Sequence, residues 1–92
     1  MIQYAEVECM IYNSHSIKDK RSIIKSVKAK LRNNLNVSVT ELDFYDLWQR
    51  TKLGIVTISN DQVHAEKVIQ DAFKLIDFYP DLERTITHVE RL

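Results

Sequence analysis

Three groups of residues in this 92-residue chain have types and spacing suited to chemistry. The largest is basic: Lys18, Arg21, Lys25, Lys28 and Arg32 succeed one another at steps of three, four, three and four. On a helix those steps hold five cations within an arc of roughly 80°. Such a flank suits the phosphates of a nucleic acid, met through salt-sensitive contacts blind to sequence. Arg50 adds a cation at the end of a later hairpin. The competing reading is a solvated polar face, paired in part with Asp or Glu from elsewhere in the fold. The second group is aromatic. Tyr45 and Trp48, with Phe44 and Arg50 close by, are residue types that anchor protein partners or stack bases. Equally, such residues fold back over a core edge beneath a long loop.

The third group is Ser14, His15 and Ser16, placed just before a helix whose N–H groups and dipole favour an anion. His15 there has the chemistry of an acid or base near neutral pH. Lys20 falls by helical angle within an apolar stripe. It therefore either snorkels past the sheet edge or points with His15 and Arg21 into a pocket at the helix start. This anion pocket is the one enzyme hypothesis, a small phosphate-ester enzyme, and the chain is otherwise expected not to be an enzyme. No metal or cofactor is expected: His15, His64 and His88 lie far apart, and Cys9 reads as a core residue. With Gly54 as its only glycine, the chain cannot form a nucleotide-binding glycine loop.

The elements that must position these residues follow from periodicity. Residues 2 to 12 alternate, with Gln3, Ala5, Val7, Cys9 and Ile11 on one face and Tyr4, Glu6, Glu8, Met10 and Tyr12 on the other. Ser16 and Asp19 have the spacing of a capping box, so a helix starts near Ile17. Its stripe is Ile17, Ile24, Val27, Leu31 and Leu35. Asn33, Asn34 and Asn36 suit a left-handed close to that helix. A strand follows through Val37 and Val39, with a phase slip near Thr40 and Glu41 that predicts either a bulge or an early end to pairing. Residues 43 to 52 read as a connection, and Leu53 to Ser59 as a central strand apolar on both faces. Asn60 or Asp61 caps a second helix whose stripe runs from Ala65 to Ile76, and Pro80 stops it. Residues 83 to 91 read as an edge strand. The order β-α-β-β-α-β, with both helices on one face of a four-stranded antiparallel sheet, makes a ferredoxin-like split βαβ sandwich of the α+β class. About ninety residues suffice for one core, so residues 1–92 are expected to form a single domain.

The run His15 to Arg21, the segment Asn36 to Val39, the stretch Asp46 to Arg50, and Leu53-Gly54 followed by Ser59-Asn60-Asp61 resemble the bacterial YlxP-like proteins. The resemblance covers almost the whole chain. It implies a ferredoxin-like fold and an uncharacterised role, with no catalytic residues to carry over. Members in Gram-positive bacteria tend to be encoded beside translation-initiation and ribosome-maturation genes, which implies an RNA or ribosomal-subunit partner by association.

Net charge is zero, with 13 basic and 13 acidic residues. Yet between Lys18 and Arg32 seven bases face Asp19 alone, so that segment is strongly positive and the remainder equally negative. Glu6 and Glu8 are expected to make the open sheet face repel phosphates. Tyr4, Met10 and Tyr12 on that face suit a homodimer instead. The N-terminus carries Glu6 and Glu8 where a leader would be apolar, and no stretch is long enough to cross a membrane, so a cytoplasmic location and no membrane partner are expected.

Overall fold

A computed structural model describes residues 1–92. The element order is β1 (Ile2–Ile11), α1 (Ile17–Asn34), β2 (Ser38–Asp43), β3 (Arg50–Ile58), α2 (Gln62–Asp77) and β4 (Leu82–Arg91). The strands form one antiparallel sheet in the order β2-β3-β1-β4. This is the split βαβ arrangement, with two helices over one sheet face.

Alternation in β1 places Ala5, Val7, Cys9 and Ile11 in the core, where Ile24, Val27 and Leu31 of α1 meet Ile69, Ala72, Phe73 and Ile76 of α2. Cys9 is wholly buried, and burial pushes its thiol up to about 12. Both helices start on side-chain caps. The Ser16 hydroxyl accepts the Asp19 N–H at 3.0 Å, and the Asp61 carboxylate accepts the His64 N–H at 3.1 Å. The far end of α2 is tied to β4 by Arg84, whose guanidinium donates to both oxygens of Asp77 at 2.7 and 2.8 Å and lies over the Phe73 ring.

The structure differs from the sequence-based expectation in two local respects. Asn33, Asn34 and Asn36 do not adopt the left-handed conformation, the first two being part of α1 itself. Leu35 leaves the helix extended while its N–H still reaches the Leu31 carbonyl, and the Asn34 amide donates to the Lys30 carbonyl. Positive φ occurs instead at Asn13 and Phe44. In addition, β3 begins at Arg50, because Arg50 and Lys52 pair across from Met10 and Glu8 on the open face. The connection therefore shrinks to residues 44–49.

The bulge lies where the phase slip placed it. Glu41 pairs with Leu53 and Asp43 with Lys52, leaving Leu42 as the extra residue. Its side chain lies over Gly54: a Cβ built there would stand 2.9 Å from Leu42 Cδ1 and 3.1 Å from its Cγ. The single glycine thus makes room for the bulged leucine. Gly54→Ala should lower stability by about 1–3 kcal/mol in denaturant titration, and Leu42→Ala added to it should recover part of the loss.

Candidate nucleic-acid interface

Four members of the basic series line one groove. Arg21, Lys25, Lys28 and Arg32 project from α1 toward the edge strand β2, with Ile24 and Ala29 as the apolar wall and Glu41 and Tyr45 across the gap. The groove has a volume of about 420 Å³. From Arg21 to Arg32 the helix rises roughly 16 Å, so the charges form a line and do not converge on a point. Lys18, exposed one turn earlier, lies outside it.

Lys18, Arg21, Lys25 and Lys28 have no carboxylate within ion-pair distance, whereas Lys20, Arg50, Lys52, Lys67 and Arg84 all do. The reading in which acids from elsewhere neutralise the stripe does not hold for these four. Arg32 is committed differently: its guanidinium donates to the Val39 carbonyl at 2.8 Å, covering part of the β2 edge while keeping its charge.

The floor of the groove is Lys20, 1% exposed. Its ammonium pairs with Glu41 at 3.0 Å and donates to the carbonyl oxygens of Phe44 and Tyr45. Glu41 also accepts the Thr51 hydroxyl at 2.6 Å. One buried cation therefore joins the first turn of α1 to β2, to β3 through Thr51, and to the loop of residues 44–49. Neither sequence-based placement of Lys20 is correct: it does not snorkel to solvent and does not point into the helix start. It turns inward because Glu41, on the core side of the bulged strand, supplies the counter-charge that a buried ammonium requires.

The helix start is likewise arranged against an added anion. The Asp19 carboxylate accepts the His15 N–H at 3.1 Å, and the Ser16 hydroxyl already holds the Asp19 N–H. Ser14 is buried, its hydroxyl turned to the Ser16 carbonyl, and its own carbonyl accepts from Gln49. Ser14, His15, Ser16 and Lys20 thus do not form the expected pocket; an acid of the chain occupies the position an anion would take.

The fold matches a computationally designed protein with a ferredoxin fold, determined by solution NMR: TM-score 0.59 at 16% identity, over 100% of this chain and 87% of the design. At that identity the likeness concerns the fold alone. The family model described as "Protein of unknown function (DUF503)" matches residues 2–89. The chain belongs to the DUF503 family. Within reach of the same sequence, "Uncharacterized protein YlxP" of Bacillus subtilis is 43% identical over 90 residues, 98% of each chain. The resemblance seen in the sequence is therefore a family relationship, and the family description carries no activity.

In this DUF503 chain the open sheet face is charge-balanced and not simply acidic. Glu6 pairs with Lys52 at 3.0 Å, and Glu8 with Arg50 at 2.9 Å. The hydrogen bond from Lys52, followed by that from the Tyr4 hydroxyl, holds the Glu6 carboxyl below its usual range, while Glu6 raises Lys52. Arg50 is also stacked 3.9 Å over the Phe44 ring. It is therefore separated from the groove and engaged twice, unlike the free cation the sequence suggested. Tyr4 and Tyr12, placed in a self-association surface by the sequence, hydrogen-bond to Glu6 and Glu83 of their own chain.

Tyr45 and Trp48 do not fold back over the core. They are 57% and 52% exposed, and Trp48 lines a shallow hollow with Met10, Leu47 and Arg50. Glu41 and Thr51 are the residues that sequence reasoning missed. Their signal was polar chemistry at inward positions on either side of the bulge. Lys20→Ala should lower unfolding free energy by about 3–5 kcal/mol, because it strands Glu41, whereas Lys20→Met with Glu41→Leu should lose much less. Chemical denaturation of the two variants checks this.

Proposed function

We propose that this domain is a binding module that holds RNA by its phosphate backbone in the groove between α1 and β2. The observation that carries the reading is the run of cations Arg21, Lys25 and Lys28, which has no internal counter-charge beside an open groove. Like charges at these spacings oppose an isolated helix by a few tenths of a kcal/mol per pair. An outside polyanion would relieve that opposition and release counterions as it bound. The linear array fits a polymer better than a small anion, and its distance from the paired charges of the sheet favours contact to backbone over base reading. The preference for RNA, and for a ribosomal subunit as its source, rests on the gene setting of the related proteins. Binding without catalysis is supported by the carboxylate of Asp19 at the helix start.

The double substitution Lys25→Glu with Lys28→Glu should abolish salt-sensitive co-sedimentation with ribosomal subunits. With an RNA hairpin it should reduce the slope of log affinity against log salt by roughly 1.4–1.8, the equivalent of two phosphate contacts. Arg32 is left intact in this test because it also holds Val39. Unchanged affinity and slope would refute the reading.

A second reading is favoured by the exposed loop: Trp48 and Leu47, beside Met10, offer an anchor for a protein partner. Trp48→Ala should then diminish recovery of that partner in a pull-down by about tenfold while leaving the RNA slope unaltered. Equal recovery would count against it.

A further inference from the structure

The two edges of the sheet are finished differently. The β2 edge is six residues long, bulged, and covered where Arg32 takes the Val39 carbonyl. The β4 edge is ten residues long and no side chain closes it. Its backbone register can be read directly. The Leu92 N–H donates to the Ile2 carbonyl at 3.0 Å, and Glu90, His88 and Ile86 stand opposite Tyr4, Glu6 and Glu8. In an antiparallel ladder the bonded pairs alternate, so the even positions exchange hydrogen bonds with β1. Thr87, Val89 and Arg91 therefore direct their N–H and C=O groups away from the sheet. The bulge between β1 and β4 lies before Ile86, which leaves residues 86–92 as a regular free edge.

We propose that this edge pairs with the same edge of a second copy, antiparallel about a two-fold axis through Val89. That register satisfies all the outward groups, since Thr87 pairs with the partner copy's position 91, Val89 with its own counterpart, and Arg91 with position 87. It also matches the side chains. On the open face His88 stands opposite the second copy's position 90, a glutamate, and Ile86 opposite position 92, a leucine; Ile86 and Leu92 are 59% and 64% exposed in the single chain. On the helix face Val89 meets Val89. It is 43% exposed there although Ala5, its partner on β1, is fully buried. Directly opposed pairs share a face, and every pair in this register does so. The paired strands make one eight-stranded sheet with all four helices on the same side. The two basic grooves then lie at its opposite ends, seven strand spacings or roughly 34 Å apart.

The two-fold axis gives the test. Val89→Lys and Val89→Glu each set like charges against themselves at the centre of the seam, and position 89 is exposed enough for either variant to fold. By sedimentation velocity the wild-type full chain should dimerise with rising concentration. Each variant alone should dissociate at least about fivefold more readily, and an equimolar mixture of the two should associate again as a heterodimer. Hydrogen exchange at dimerising concentration should protect the amides of Thr87, Val89 and Arg91 beyond their protection in dilute protein. A wild type that stays monomeric at millimolar concentration would overturn the proposal. So would a Val89→Lys variant that dimerises as well as wild type, or a mixture that fails to associate.

Discussion

The buried ammonium of Lys20 is the constraint on which the rest of the structure depends. A charge taken out of water must find acceptors in every direction open to it. Here three acceptors come from two separate pieces of chain: the Glu41 carboxylate on β2 and the carbonyls of Phe44 and Tyr45 on the loop. Glu41 is held in turn by Thr51 of β3. Satisfying one cation thus fixes the start of α1, the bulged end of β2 and the path of the loop. Phe44, whose carbonyl faces Lys20, has a φ of 64°, a conformation that costs a non-glycine residue about 1–3 kcal/mol and persists only where its surroundings dictate it. Its carbonyl is held on one side and its ring is covered by Arg50 on the other.

This arrangement separates two uses of positive charge along one helix. Lys20 is spent internally, while Arg21, one residue later, opens the groove. On the sheet, by contrast, bases and acids alternate across strands and neutralise one another locally: Lys52 with Glu6, Arg50 with Glu8. Exposed pairs of that kind add little stability each. Their larger effect is to cancel the charges of Glu6 and Glu8 locally, whereas Arg21, Lys25 and Lys28 on α1 are left without a paired acid.

Most of the fold was legible in the sequence because its signals were periodic and local. Alternation along β1, the stripe from Ile24 to Leu31, the caps at Ser16 and Asp61 and the slip at Thr40 and Glu41 all depend on neighbours within a turn or two. The basic flank was legible for the same reason, since its spacing is a property of one helix. What escaped was long-range. A lysine in an apolar stripe reads as a misfit until Glu41, twenty-one residues later, is seen to face it. Arg50 and Lys52 read as loop residues because their strand character comes from Glu8 and Glu6 across the sheet. Tyr12 looked available because its partner Glu83 lies 71 residues further on, whereas Tyr4 bonds Glu6, its same-face neighbour on β1. Asn33, Asn34 and Asn36 misled through composition: propensity for the left-handed conformation marks where it is tolerated, not where the chain uses it.

The position of Cys9 has a chemical corollary. It is the only thiol in the chain, it sits on β1 between the two strands that flank it, and burial keeps it protonated at any ordinary pH. An alkylating reagent needs the thiolate, so it must wait for the centre of the sheet to come apart. The labelling rate is then a clock for the opening of β1 from its neighbours at Cys9, which pairs with Thr51 of β3 and Arg84 of β4. The molecule thus carries its own probe of opening at the point where the β1–β4 register shifts.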